Sequence, residues 1–275
     1  MSAVATTQPR DAGPGGGERD VLAHLAARQP LDRAVALVTA HPDDESIGMG
    51  GVMAGFQNLT LLQLTDGAPL DLAAAEAAGF PTRRAYAAAR RGELVDALQV
   101  TIEGRLSRLT CYEIPDGSLV DHLGVLIERL AEDLICVEAV FTHPFEGGHI
   151  DHDAAALAVQ VACARLAARG GHAPARLEFT SYHRHHGLVR SGRFRDDPAC
   201  PEIAVPLTPE AAWRKEAAFA CHRSQADNLR FFGFGPERFR RAPVYDATRP
   251  PGGEPMYGEE AWRRLAAAMT ALAPP

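Results

Sequence analysis

The chain has 275 residues, of which 46% are hydrophobic, enough for one large domain with a sizeable core. Its 35 acidic and 28 basic residues give a formal net charge of −7 with no block of like charge, which argues against a nucleic-acid partner and favours a neutral, polar small molecule. Five cysteines without a CxxC pair predict neither a disulfide framework nor a thiolate metal site.

Gly, Pro, Ala and Thr dominate the start of the chain. Residues 1–18 include a GPGGG stretch and are predicted to form a disordered tail, because they offer too little apolar surface to offset the entropy of ordering. A single folded domain is expected over residues 19–275.

Beyond this tail, predicted strands alternate with predicted helices. Short apolar runs predict strands over residues 34–40, 61–65, 135–142, 176–181 and 202–207. Helical spacing and capping signals predict helices over residues 20–28, 46–56, 83–98, 120–134, 153–169, 209–222 and from residue 259 onward. A loop is expected over residues 66–69. The alternation predicts an α/β fold with a Rossmann-like, mostly parallel sheet flanked by helices, in which ligands bind beyond the carboxyl ends of the strands.

Two clusters of metal-ligand side chains follow two of the predicted strands. HPDDE, residues 41–45, comes directly after the first strand, and HIDH, residues 149–152, follows the strand that ends at Thr142. Because the carboxyl ends of parallel strands meet at one edge of a sheet, the two clusters are expected to converge.

The side chains of these clusters suit a catalytic zinc site, which takes three nitrogen or oxygen ligands and keeps one position open for water. His41, His152 and one of the adjacent carboxylates, Asp43 or Asp44, would supply the ligands. The other carboxylate would accept a proton from the metal-bound water. Since His and Asp ligands accept several divalent ions, Fe²⁺ is an alternative to Zn²⁺.

His149 lies three residues before His152, so both side chains can face one pocket from the first turn of a helix. A protonated His149 would stabilise the oxyanion of a tetrahedral intermediate. Asp151 would hold the tautomer or the charge of His149.

The segments AHPDDESIGMGGVMAGF and THPFEGGHIDHDAAALAV together resemble the PIG-L/LmbE-like family of zinc-dependent N-acetylglucosaminyl deacetylases. By motif position, the resemblance implies that His41, Asp44 and His152 bind zinc. It also implies that Asp43 is the general base and that His149 is the electrostatic partner of the oxyanion. A Rossmann-like fold and a substrate with an N-acetylglucosamine unit follow from the same resemblance.

Weaker matches to the family concern the substrate pocket. Arg90, in AARRGEL, resembles an arginine near the sugar, with a solvated ion pair to Glu93 as the alternative interpretation. Asp116, in IPDGSL, resembles an acidic position at the pocket rim. His183, in YHRHH, is interpreted as a substrate contact or as a solvated loop residue. The loop before His149 lacks the tyrosine with which some relatives assist the oxyanion.

The sequence therefore predicts a hydrolase that removes the N-acetyl group from an N-acetylglucosamine-containing small molecule or glycoconjugate and releases acetate. Alternatives are an amidase acting on another acyl-glucosamine conjugate, a non-catalytic scaffold, and a nucleotide-binding domain suggested by Gly48, Gly50 and Gly51, which do not form GxGxxG. We expect a cytoplasmic protein whose partner is a small amino sugar, with no nucleic acid and no membrane insertion, because no signal peptide or apolar run of about 18 residues is present. A homo-oligomer is compatible with this sequence.

Overall fold

The computed structural model describes residues 16–272. The strands are β1 (Leu31–Thr39), β2 (Phe56–Pro69), β3 (Arg108–Asp116), β4 (Ala139–Thr142), β5 (Ala175–Phe179), β6 (Tyr182–His185), β7 (Leu188–Ser191), β8 (Ile203–Val205) and β9 (Glu237–Arg241). The helices are α1 (Gly16–Ala27), α2 (Asp44–Met49), α3 (Ala73–Ala77), α4 (Arg83–Ile102), α5 (Leu119–Asp133), α6 (Ile150–Ala168), α7 (Pro209–Cys221), α8 (Ala226–Leu229) and α9 (Glu259–Leu272). Within this range, no helix has both the length and the apolar content that crossing a membrane requires. The tail predicted over residues 1–18 lies outside the described residues, except that α1 begins at residue 16.

A seven-stranded sheet with the order β3-β2-β1-β4-β5-β9-β8 forms the centre of the fold. β1 to β5 run parallel, whereas β9 pairs antiparallel with both β5 and β8. The predicted α/β fold with a mostly parallel, helix-flanked sheet is therefore confirmed. β2 lies on one side of β1 in the sheet, and β4 lies on the other side. Because the strand order reverses at β1, a crevice opens beyond the carboxyl ends of β1 and β4.

Both faces of the sheet are covered by apolar side chains. From β1, Val35 and Leu37 pack with residues of α1 and α4, whereas Ala36 and Val38 pack with residues of α5, α6 and α9. Successive side chains of a strand point to opposite faces. The uninterrupted apolar run within β1 thus reflects burial on both faces. The buried strand holds its carboxyl end in place, and His41 follows shortly after it.

Several boundaries differ from the sequence prediction. The helix predicted over residues 46–56 ends at Met49, and a short 3-10 turn follows at Met53–Gly55. The loop predicted over residues 66–69 is wrong, because β2 continues to Pro69 with register shifts against β3. β3, β6, β7 and β9 were not predicted, since none of them has a continuous apolar run.

Candidate active site

The HPDDE segment forms a tight turn between β1 and α2. Asp43 has φ 147° and ψ −23°, a region that residues other than glycine rarely adopt. Its backbone N–H donates to Glu45 Oε2 at 3.1 Å, and the backbone N–H of His41 donates to Asp44 Oδ2 at 2.7 Å. The unusual torsion separates the two neighbouring carboxylates, so that they contact different partners.

The three side chains predicted as ligands lie close together at the bottom of the crevice. His41 Nδ1 is 3.2 Å from His152 Nε2 and 3.4 Å from Asp44 Oδ2, and His152 Nε2 is 3.3 Å from Asp44 Oδ1. A tetrahedral zinc ion with bonds of about 2.0–2.1 Å holds its ligand atoms about 3.3–3.4 Å apart. The structure thus brings together the three residues predicted as ligands, with His41 and His152 beside different oxygens of Asp44, and their binding of metal stays a prediction.

His143 supports this group from behind. Its ring stacks on the ring of His152 with centroids 4.0 Å apart, and its Nε2 lies 3.2 Å from Asp44 Oδ2. Burial raises the pKa of Asp44, but His152 and His143 outweigh it and hold the pKa well below its usual value. The ligand atoms of Asp44, His143 and His152 all lie within 4.8 Å of one another, as do those of His41, His149 and His152. No role in the site was predicted for His143 from the sequence.

Carboxylates surround His41 on its other side. His41 Nε2 lies 3.1 Å from Asp116 Oδ1 and 3.3 Å from Asp151 Oδ2. Burial lowers the pKa of His41, but Asp116 and the other carboxylates raise it well above its usual value. With Asp44 close by, the crevice holds more buried negative than positive charge, which a divalent cation would compensate.

The side chain of Asp151 contacts His41, 3.3 Å from its Nε2, and an effect of the Asp151 charge on His149 stays a prediction. The fully buried carboxylate accepts hydrogen bonds from the backbone N–H groups of Gly117 at 2.6 Å and Leu119 at 3.1 Å. A carboxylate in this position orients a metal-ligating histidine. These contacts could not be predicted because β3, which leads to Gly117, was itself not predicted.

The backbone of Asp151, in contrast, does fix His149. The N–H of Asp151 donates to His149 Nδ1 at 3.2 Å, which leaves Nε2 as the hydrogen-bearing nitrogen of the neutral ring. Burial and the neighbouring His41 and His152 lower the pKa of His149 to about 4. The structure therefore favours a neutral hydrogen-bond donor over the protonated His149 expected from the sequence.

Arg90 holds Asp43. The guanidinium of Arg90, which is 4% exposed, donates to Asp43 Oδ2 at 3.0 Å and to the carbonyl oxygens of Pro42 at 3.0 Å and Gly67. Burial raises the pKa of Asp43 to about 6, and the charge of Arg90 opposes that rise. Arg90 thus positions the predicted base, and a contact between Arg90 and a sugar stays a prediction.

A late HRSQ segment, residues 222–225, supports the same region from the other side. Glu93 accepts hydrogen bonds from the backbone N–H of Ser224 at 2.9 Å and from its hydroxyl at 2.6 Å, so the interpretation of Glu93 as the partner of Arg90 is wrong. His222 Nε2 lies 3.2 Å from Glu45 Oε1, and Glu45 in turn holds the turn at Asp43. These positioning contacts were missed because they join residues far apart in sequence.

The site opens into a cavity of about 520 Å³, and Tyr182 contributes to its lining. The ring of Tyr182 lies beside that of His152, with centroids 5.5 Å apart. His183, the next residue on β6, is fully buried on the opposite side, with Nδ1 3.1 Å from Glu146 Oε2. The prediction of His183 as a substrate contact is therefore wrong. Asp116, by contrast, does line the cavity, and its contact with substrate stays a prediction.

Comparison with known proteins gives a family match over the central part of the chain. Residues 36–163, which include both motif segments, match the family model described as PIG-L: GlcNAc-PI de-N-acetylase. No curated protein matches the chain.

Solved structures share the fold. The zinc-inhibited form of teicoplanin deacetylase Orf2 is 14% identical with a TM-score of 0.56, covering 78% of this chain and 99% of that one. N,N'-diacetylchitobiose deacetylase from Pyrococcus horikoshii is 19% identical with a TM-score of 0.51, covering 77% and 84%. The 4-carboxy-2-hydroxymuconate hydratase GalB from Pseudomonas putida KT2440 is 19% identical with a TM-score of 0.53, covering 78% and 98%. Proteins of different activities therefore share this fold, and the function has to be argued from the site.

Proposed function

Residues 36–163 form a PIG-L family domain, and on that premise we propose that this protein is a zinc-dependent hydrolase. It removes the N-acetyl group from an N-acetylglucosamine-containing small molecule or glycoconjugate and releases acetate. The observation that carries the proposal is the convergence of His41, Asp44 and His152 beside a separately held Asp43, at the bottom of one cavity.

His41, Asp44 and His152 would hold the metal, which when bound supplies Lewis-acid activation of a water and of the amide carbonyl. Asp43 accepts a proton from the attacking water, whose oxygen bonds to the amide carbon. Asp43 then returns that proton to the nitrogen as the carbon–nitrogen bond breaks, leaving acetate and a free amine. A neutral His149 donates a hydrogen bond from Nε2 to the developing oxyanion.

The glycines that suggested a nucleotide-binding domain have a packing explanation. A Cβ atom on Gly48 would lie 2.1 Å from the ring of Phe179, and one on Gly51 would lie 2.5 Å from the side chain of Leu207. These positions need glycine because α2 and the turn after it lie close to their neighbours. They require no phosphate ligand.

Acetate release tests the proposal. A panel of N-acetylglucosaminyl compounds is incubated with purified protein in the presence of chelator, and then after addition of Zn²⁺ or Fe²⁺. We expect metal-dependent acetate release that the Asp43→Asn and His152→Ala variants lose. Asp32→Asn, which changes an exposed carboxylate at the start of β1, is the matched control and should keep it. Release that persists in chelator, or in Asp43→Asn, would show that the mechanism is wrong, and longer-acid release would favour the amidase alternative.

A further inference from the structure

Six apolar side chains contribute to the lining of the active-site cavity. We call this set of side chains the apolar wall: Ile47, Val189, Leu229, Phe231, Phe232 and Met256. Val189 and Phe231 are 61% and 66% exposed, although both are large apolar side chains. Contiguous apolar surface left open beside a polar site is typical of ligand-binding surfaces.

The apolar wall is continuous with the polar bottom of the cavity. The ring of Phe232 lies 5.9 Å from that of Tyr182, which in turn lies 5.5 Å from the ring of His152. A molecule whose amide lies at His152 therefore reaches the wall. The cavity volume of about 520 Å³ falls within the range of about 300–1,000 Å³ that is typical of sites for drug-sized ligands.

Hydrogen bonds to backbone carbonyl oxygens hold part of the wall in place. The hydroxyl of Ser191 donates to the carbonyl oxygen of Phe231 at 3.2 Å, and the N–H of Phe232 donates to the carbonyl oxygen of Leu229 at 3.0 Å. The N–H of Met256 donates to Gly147 O at 2.8 Å, in the loop that leads to the HIDH segment. A preformed apolar surface loses little conformational entropy when a ligand covers it.

The wall itself has no charged member. Two cations lie beside it: Lys215 Nζ donates to the carbonyl oxygen of Ile47 at 2.7 Å and pairs with Glu237 at 2.8 Å, and the guanidinium of Arg230 lies 5.0 Å from the ring centroid of Phe231 and pairs with Asp227 at 3.4 Å. The charged groups that line the cavity, Asp116 and Arg90 among them, lie on the polar side with the predicted ligands. An uncharged apolar group therefore suits the wall better than an ionic group, and the neutral polar side chains Ser191, Gln225 and Asn228 also line the cavity.

We propose that the substrate carries an apolar group, an alkyl chain or an aromatic ring, on the amine side of the scissile amide, and that this group binds the apolar wall. The inference rests on the proposed function. Because the acyl part of an N-acetyl substrate is only a methyl group, the apolar group that covers the wall has to belong to the aglycone.

Matched glycosides test this inference by binding and by turnover. Methyl and hexyl N-acetyl-β-glucosaminides are titrated by calorimetry into zinc-loaded protein carrying Asp43→Asn, and acetate release is measured with the unmodified protein. We expect the hexyl glycoside to bind about tenfold tighter or more, because five further methylene groups leave water. The double variant Val189→Ser with Phe231→Ser should reduce that preference about threefold or more. Trp213→Ser, at a 63% exposed position outside the cavity lining, is the matched control and should leave it unchanged.

Other results of these measurements would overturn the inference or the proposed function. Equal affinity for the two glycosides overturns the inference, as does an unchanged preference in the double variant. Tighter binding of N-hexanoylglucosamine than of the hexyl glycoside also overturns it, because the wall would then bind the acyl group. Absence of acetate release from both glycosides, with the hexyl preference present and sensitive to the double variant, would refute the proposed function and still support the apolar binding site.

Discussion

Replacing Arg90 with methionine should destabilise the turn that carries Asp43. Arg90 donates to Asp43 Oδ2 and to the carbonyl oxygens of Pro42 and Gly67, and the side chains of Arg90 and Asp43 are only 5% and 10% exposed. Methionine keeps much of the apolar volume but removes the charge and the donors. Removing one partner of a buried ion pair costs about 3–5 kcal/mol, because the other charge is left buried without compensation. We expect a loss of that size in the free energy of unfolding.

A double-mutant cycle separates the ion pair from the other contacts of Arg90. Asp43→Asn keeps the shape and one acceptor oxygen but removes the charge, so Arg90→Met should be less damaging in that background. Hydrogen bonds to charged groups are worth about 1.5–3 kcal/mol, and the coupling energy should fall in that range.

Urea denaturation of the metal-free protein measures all four corners of this cycle. Arg91→Met is the matched control, since Arg91 follows on the same helix, its side chain is 47% exposed, and its contact with Glu113 is 3.9 Å long. The control should change the free energy of unfolding by less than about 0.5 kcal/mol. If the effects of Arg90→Met and Asp43→Asn add within about 0.5 kcal/mol, the two side chains are not coupled and the assigned role of Arg90 is refuted.

Three further predictions concern the metal, a buried carboxyl group and a close packing contact. Zinc at a hundredfold excess over its Kd should stabilise the folded protein by about 2.7 kcal/mol, and the His152→Ala variant should lose this effect. A melting temperature of the unmodified protein that does not respond to zinc would contradict the metal site. Burial raises the pKa of Glu178 to about 7, so the folded protein keeps a proton that the unfolded chain releases near pH 4.5. The free energy of unfolding should therefore fall by up to about 3 kcal/mol as the pH rises from about 4.5 to about 7. Glu178→Gln should flatten that slope in urea denaturation across the same pH range, and an unchanged slope would exclude Glu178 as its source. Gly148→Ala would place a Cβ atom 2.0 Å from the carbonyl oxygen of Tyr182, so it should lower the free energy of unfolding by about 1–3 kcal/mol and reduce turnover. Gly92→Ala is the control: it lies in the interior of α4, where a Cβ atom meets nothing within 4 Å, and it should raise the free energy of unfolding by about 0.5–1 kcal/mol. Equal effects of the two substitutions would show that the contact with Tyr182 is unimportant.

The sequence was sufficient to predict the fold class because the strands at its centre are buried on both faces. Residues 34–38 of β1 and residues 139–141 of β4 are continuous apolar runs, and the alternation of strands with helices then predicts a parallel sheet. β3 was not predicted because many of its residues are half-buried or exposed, which interrupts the apolar pattern. Because β3 was not predicted, the contact between Gly117, just beyond the end of β3, and the HIDH segment was not predicted either.

Within the site, the sequence predicted which side chains converge better than it predicted what each one contacts. His41 and His152 follow two strands whose carboxyl ends meet, which residue order alone indicates. The contact of Asp151 with His41 joins positions 110 residues apart, and that of Arg90 with Asp43 joins positions 47 apart. Such partners depend on tertiary packing.

Side-chain direction at two neighbouring positions was a further source of error. Tyr182 and His183 are adjacent on β6, and sequence fixes their alternation but not which of them faces the cavity. The same holds for Asp43 and Asp44, whose different directions depend on the torsion of φ 147° at Asp43. A motif therefore specifies the set of groups more securely than it specifies their individual roles.

The polar bottom of the cavity and the apolar wall come from different parts of the sequence. The predicted ligands, Asp43, Arg90 and Asp116 all lie within residues 36–163, the span that matches the PIG-L family model. Of the apolar wall, only Ile47 lies in that span, and the other five members follow it in sequence. Changes in the wall can therefore alter which aglycone is bound without moving the groups that act on the amide. On the proposed function, substitutions at Val189 or Phe231 should change KM for apolar glycosides far more than kcat for a methyl glycoside.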